Sequence, residues 1–381
     1  MESEPEMYVS NPQYIKEGVK GFTFYSLKGT KVPEVLSRRY RDFNALRKKM
    51  VEKWPGIYIP KLPDKKKVGA KGQKISPIKI DVINRFLKKI SKIKYLMESE
   101  EMGLFLHNTS NVEKTLDGIK PPNYEELSKK YFNTFTEYDE NFDTKTGKDE
   151  QDLFEKKILE SLVKMKTFMA LVSAAMERFN DEQENYSAVI NMLSLYEKES
   201  LSNFVDDQEN KLVFFNTKNH ELCDNISNSQ KKIINPYSRL FSAITDDYIN
   251  LEAMVEALEG LKYLQDSYNK LIRNLSNLNI ELSELQAGKS SVKTIFKNKE
   301  KEITKLTNDK ENLEKNVDNL QNIIQIATFV MQNEIKNFKI NQLDNYYAEL
   351  SRIESDLENN AKISDDLWES VIKDKNISEF K

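Results

Sequence analysis

The residues of this chain best suited to chemistry are three basic elements gathered around one aromatic. Arg38-Arg39-Tyr40-Arg41-Asp42-Phe43 comes first, Ile59-Pro60-Lys61-Leu62-Pro63-Asp64-Lys65-Lys66-Lys67 follows, and Lys79 completes the set. A guanidinium can grip a phosphate through two parallel charge-assisted hydrogen bonds, and an aromatic face can support the C–H edges of an inositol ring. The prolines would stiffen a loop that carries lysine to a second phosphate. The competing reading is a solvated charge run, the usual meaning of Lys-Lys-Lys in a lysine-rich chain, and spacing alone leaves the two readings even.

Other chemistry is poorly provided for. Cys223 is the single cysteine and His107 and His220 are the only histidines. Internal disulfides, zinc-ligand spacings and a histidine-based triad are therefore not expected. With no Gly-rich phosphate loop and no nucleophile motif, no catalytic residue, metal ligand or cofactor is expected either. The 58 basic and 61 acidic residues leave a net charge of −3, so attraction to anionic lipid must come from local clusters, and nucleic acid is not an expected partner. No apolar run approaches the length of a spanning helix and Met1–Ser10 has no signal-peptide core, which reads as a cytosolic chain.

The elements that position the basic set follow from composition. Nine of the ten prolines lie at or before Pro122, and Pro236 is the only later one, so the architecture must change near residue 123. Before that boundary, Gly21-Phe22-Thr23-Phe24-Tyr25-Ser26-Leu27 followed by Lys28-Gly29 reads as a strand and a turn, and a small α+β domain results. Ile78 to Lys94 reads as a helix with Ile83, Phe86, Leu87 and Ile90 on one face.

After residue 150 the apolar pattern steps by three and four: Ile158, Leu162, Met165, Met169, Val172, Met176, Phe179. It returns from Leu264 to Leu285 and again from Leu313 to Met331, which predicts three long coiled-coil helices. Breaks fall at 202–208 and at Ala287-Gly288-Lys289-Ser290-Ser291. Pro236 sits inside the expected middle helix and should bend it. Helices this long bury too little against their own chain, so dimerisation along the seams is expected.

Two further stretches could meet a membrane. Tyr124, Leu127, Tyr131, Phe135 and Tyr138 step along an amphipathic helix whose aromatics suit either the headgroup boundary or packing against the helical bundle. Lys289, Lys293, Lys297, Lys299 and Lys301 gather at the second hairpin turn with Ile295 and Phe296 between them, where lysines can meet anionic lipid.

The run Arg38-Arg39-Tyr40-x-Asp42-Phe43-x-x-Leu46, with Ile59-Pro60-x-Leu62-Pro63-x-Lys65, resembles the signature of the PX (phox homology) domain, from about Met7 to His107. The resemblance implies a three-stranded antiparallel sheet with helices. It implies that Arg39 pairs with a 3-phosphate, that Tyr40 packs beneath the inositol ring and that Lys65 meets the 1-phosphate. Where the family carries a further arginine this chain has Lys79, which keeps the charge and loses the planar fork. Asp42 and Phe43 read as structural.

With the aromatic linker helix and three long helices, the whole is similar to the sorting nexins of the PX–BAR type. The closing region from Phe338-Lys339 through Tyr346-Tyr347 to Leu367-Trp368 is also similar to the end of their BAR domain. The implied plan is a PX domain over 5–112, a linker with an amphipathic helix over 113–149, and an all-α three-helix BAR-type coiled-coil dimer over 150–381.

The implied function is phosphoinositide binding and curvature sensing, peripheral on early endosomes, as a homodimer or a heterodimer with a related BAR protein, with an endosomal coat or cargo-sorting complex as a further partner. Lys164, Lys166 and Arg178 are candidates for a concave membrane face, and Tyr131, Phe135, Lys289, Lys293 and Lys297 are candidate membrane contacts. The alternative is a coiled-coil scaffold that binds a protein partner and ignores lipid.

Overall fold

A computed structural model describes residues 6–17, 20–62, 77–108, 111–135, 137, 143–199, 226, 228–287 and 299–374. Three strands, β1 (Tyr8–Glu17), β2 (Lys20–Lys28) and β3 (Leu36–Arg39), form one antiparallel sheet in the order β1-β2-β3. Side chains alternate across a strand, so the register decides which residues enter the core. Tyr25 pairs with Arg38, and both are buried; Phe24 pairs with Arg39, and both belong to the opposite face. A bulge between Ser10 and Gln13 shifts the β1 register, with Asn11 at a φ of 45°.

Six short helices follow among the described residues: α1 (Tyr40–Lys53), α2 (Pro77–Ser91), α3 (Lys94–Met97), α4 (Glu100–His107), α5 (Val112–Asp117) and α6 (Tyr124–Thr134). On α1 the residues Phe43, Leu46 and Met50, spaced by three and four, are fully buried. The apolar face expected between Ile78 and Lys94 is the buried face of α2, with Ile83, Phe86, Leu87 and Ile90 at 0–2% exposure. Asn123 caps α6 through a reciprocal pair of hydrogen bonds with Glu126, at 2.9 and 3.0 Å.

Among the described residues three long helices come next: α7 (Thr144–Glu199), α8 (Pro236–Gln286) and α9 (Lys299–Asp374). The proline reading is corrected here. Pro236 does not bend a helix from within; it opens α8. At the first helical position the missing N–H would have no intrahelical acceptor in any case, so proline fits there. The side chain of Asn235 accepts from Tyr237 N at 3.1 Å and supplies the cap.

Packing divides the chain into two compact units, Met1–Glu160 with Ile249–Asn337, and Ser161–Tyr248 with Phe338–Lys381. In the first, one apolar cluster joins the sheet and short helices to Leu261 and Leu264 of α8 and to Leu320, Ile323, Ile326, Ala327 and Val330 of α9. Backbones come very close at Gly56 and Gly260, where a Cβ on Gly260 would sit 2.9 Å from Gly56 N. Gly56 itself holds a φ of +80°, which favours glycine.

In the second unit the start of α8 is tied down by amides. Asn235 donates to Met176 O at 2.9 Å and to Asn180 Oδ1 at 2.8 Å, Asn360 exchanges two hydrogen bonds with the Ile234 backbone, and Arg239 pairs with Asp356. Val163, Leu171, Leu350 and Leu357 remain half exposed or more in the single chain.

Candidate functional site

The two adjacent arginines at the end of β3 have opposite fates because the strand alternates. Arg38 points inward and is 3% exposed. Its guanidinium donates to Phe105 O at 2.5 and 3.2 Å, to Asn108 O at 2.8 Å and to Ser37 O at 3.0 Å, and it lies 5.2 Å from the Phe105 ring. A cation there meets the carbonyl end of α4, where last-turn carbonyls lack intrahelical donors. Burial pulls the Arg38 guanidinium below its ordinary value, with Asp42 opposing.

Arg39 belongs to the other face. Its guanidinium sits 5.5 Å from the ring centres of both Phe22 and Phe24, within the range of cation–π attraction. The Asp42 carboxylate accepts from Arg39 N at 2.7 Å and lies 3.7 Å from Arg39 Nη2, which fixes the junction of β3 and α1. Arg39 Nε is buried and has no hydrogen-bond acceptor in the protein. Arg41 stands beside this group, half exposed, 6.0 Å from the Phe22 ring and 3.4 Å from Glu113. Such a group can receive an anion, since a buried guanidinium N–H without an acceptor is costly until one arrives.

The remaining candidates fall in different places. Tyr40 opens α1 and is 5% exposed, within the apolar core, so the aromatic faces against Arg39 are those of Phe22 and Phe24. Sequence reading missed both phenylalanines as site residues. Their alternation in Phe22-Thr23-Phe24 was the available signal, but the β2–β3 register was needed to set them opposite Arg39. Lys79 is the third residue of α2. Lys65 lies outside the described residues, as do Lys289, Lys293, Lys297 and Tyr138. Lys164, Lys166 and Arg178 are all exposed on α7, with Lys166 Nζ 5.8 Å from the Tyr248 ring.

The linker aromatics require a correction. Tyr131 is not a membrane contact: it is 0% exposed, stacks on Trp54 at 5.8 Å and donates its hydroxyl to Pro55 O at 2.6 Å. Phe135 is half-buried and meets Trp54, Tyr95 and Tyr131 at 5.3–6.1 Å. The stripe packs inward because Trp54 and Tyr95 offer it an aromatic wall, so α6 buries the face expected to enter lipid. The aromatic that α6 leaves outside is Phe132, 61% exposed.

Lys130 reinforces this docking, with Nζ 3.4 Å from the Trp54 ring centre and 3.3 Å from Lys53 O. Loss of water pushes the Lys130 amine down to about 8, against the pull of Glu101. Among the described residues no helix is long and apolar enough to cross a membrane, and no cluster of His, Cys, Asp and Glu could hold a metal ion.

Known proteins place this geometry in context. Residues 28–109 match the family model of the PX domain. Sorting nexin 1 of Arabidopsis thaliana is 31% identical over 124 residues, which cover 29% of this chain. The chain spans 29% of that relative's length. The cryo-EM structure of the SNX-BAR Mvp1 tetramer is similar in fold, with a TM-score of 0.58 and 16% identity, over 96% of this chain and all of that one. Residues 28–109 thus belong to the PX domain family, and the chain as a whole shares the fold of that SNX-BAR structure, an α+β domain with a three-stranded antiparallel sheet followed by long helices.

Proposed function

We propose that this protein is a peripheral membrane adaptor that binds a phosphoinositide headgroup, with phosphatidylinositol 3-phosphate as the ligand, and couples that binding to membrane curvature in endosomal protein sorting. The observation that carries the reading is the Arg39 guanidinium, held over Phe22 and Phe24 with a buried Nε that has no protein acceptor, inside the segment that matches the PX family model. Arg39 takes the 3-phosphate, backed by Phe22 and Phe24, and Lys65 and Lys79 supply further cationic contacts. Early endosomes are the site of action.

The helical region over 150–381 serves as the dimerisation domain. Val163, Leu171, Leu350 and Leu357 are apolar, exposed in one chain and suited to a second copy or a related BAR protein. Two headgroup sites in one dimer raise avidity through effective concentration, so each site can be weak. An endosomal coat or cargo-sorting complex is the further partner in this reading.

The test is sedimentation of the protein with small liposomes, with and without phosphatidylinositol 3-phosphate, beside Arg39→Ala. Pelleting that needs the lipid and is lost in Arg39→Ala supports the reading. Equal pelleting of both proteins would assign binding to diffuse charge, and no pelleting of either would favour a protein scaffold.

A further inference from the structure

Side chains of α8 hold residues of the PX fold. Arg47 lies seven residues beyond Tyr40 on α1, and its side chain is 12% exposed. Nε donates to Pro60 O at 3.0 Å, while Nη1 and Nη2 donate to the two carboxylate oxygens of Glu256 on α8 at 3.1 and 2.6 Å. One planar group therefore joins α1, the proline-rich segment and α8, and it does so with the two-pronged geometry that fixes orientation as well as distance.

The same stretch of α8 holds two more points. Lys61 Nζ lies 3.4 Å from Glu252 and 3.9 Å from Glu256, and these two acids are one helical turn apart on one face. Asn250 Oδ1 accepts from Tyr58 OH at 3.3 Å and from Lys89 Nζ at 2.9 Å. Lys89 belongs to α2, the helix that begins near Lys79. Thus α8 grips each of the three elements that carry the basic set: the helix begun by Arg39-Tyr40, the Tyr58–Lys61 segment, and α2.

We infer that Glu252 and Glu256 of α8, acting through Lys61 and Arg47, are positioning residues for the headgroup site. This rests on the phosphoinositide reading given above. The acids carry the same sign of charge as the ligand, so simple electrostatics makes them a hindrance to anion binding. Their benefit is geometric: they keep α1 and the Pro60 corner in one relative placement, so that the cations that meet the phosphates need not be ordered on binding.

The two effects have opposite signs, which makes the inference testable in the full-length protein. Affinity for a soluble short-chain phosphatidylinositol 3-phosphate is measured by calorimetry for the wild type, Glu252→Gln/Glu256→Gln, Arg47→Lys and Arg39→Ala, with thermal melting of each. Positioning predicts that the double variant binds roughly fivefold or more weakly while retaining a cooperative melt. Arg47→Lys, which keeps the charge and loses the fork, should weaken in the same direction, and it serves if the double variant fails to fold. Affinity unchanged or tighter in these variants, as removal of negative charge alone would give, overturns the inference. A wild type that binds no headgroup, indistinguishable from Arg39→Ala, overturns the functional reading itself and the inference with it.

Discussion

The ring of Tyr131 stacks on Trp54 at 5.8 Å, and its hydroxyl donates to the carbonyl of Pro55, the residue that follows that tryptophan. One side chain of α6 thus satisfies a buried apolar contact and a buried polar one at the end of α1. Tyr131→Ala should cost about 3–5 kcal/mol through the cavity it leaves, and Tyr131→Phe about 1 kcal/mol through the lost hydrogen bond. Urea denaturation reads both. Liposome pelleting of Tyr131→Phe should match the wild type, because a buried ring has no access to lipid.

Arg38 and Arg39 are neighbours with separable roles. Arg38→Ala leaves the carbonyls of Phe105 and Asn108 without the donor that now serves them, and should destabilise by about 2–4 kcal/mol. Arg39→Ala keeps the backbone hydrogen bond to Asp42 but loses a 3.7 Å ion pair and two cation–π contacts, and should cost about 1–2 kcal/mol of stability while abolishing lipid-dependent pelleting. A chemical denaturation series on both variants, set beside pelleting, would show the two losses on different arginines.

Lys130 gives a pH signature. Desolvation holds its folded-state value near 8, below the ordinary lysine value of 10.5, so between those limits the unfolded chain binds more protons than the folded one. This group's contribution to stability therefore rises as pH increases from about 8 toward 10 and is flat below that range. Lys130→Met lacks the titration. The melting temperature of the wild type should gain on that of Lys130→Met between pH 8 and pH 10, and a constant difference would show that the amine is not desolvated.

Gly260 has no room for a side chain. A methyl group would meet the backbone nitrogen of Gly56 at 2.9 Å, and backbone cannot swing aside as a flexible side chain can. Gly260→Ala should destabilise by about 1–3 kcal/mol, read by thermal melting, whereas Gly103→Ala, where nothing lies within 4 Å, should be neutral or mildly stabilising.

Much of this architecture is legible in the sequence because it depends on local periods. Ile83, Phe86, Leu87 and Ile90 give the face of α2, the three heptad runs give α7, α8 and α9, and the loss of proline after Pro122 marks the change of architecture. What escaped depends on partners far along the chain. Phe24 meets Arg39 only through the β2–β3 register. The stripe through Tyr131 is the same whether its neighbour is lipid or Trp54. Pro236 reads alike inside a helix or at its first residue, and the side chain of Asn235 decides between them. Arg47 and Glu256 are 209 positions apart, beyond the reach of any pattern in one sequence.

The meeting of Gly56 and Gly260 bears on how freely such proteins can trade parts. Two modules joined by a flexible tether can be exchanged between relatives without regard to their surfaces. Here the N-terminal module is seated on α8 by a pair of residues that each lack a side chain, one for reach and one for backbone angle. A chimera that brought a different N-terminal module to this helical region would seat only if it carried glycine at the equivalent turn and a basic residue where Arg47 stands. Compatibility between the two surfaces therefore depends on a matched set of residues at the Gly56 turn, on α1 and on α8.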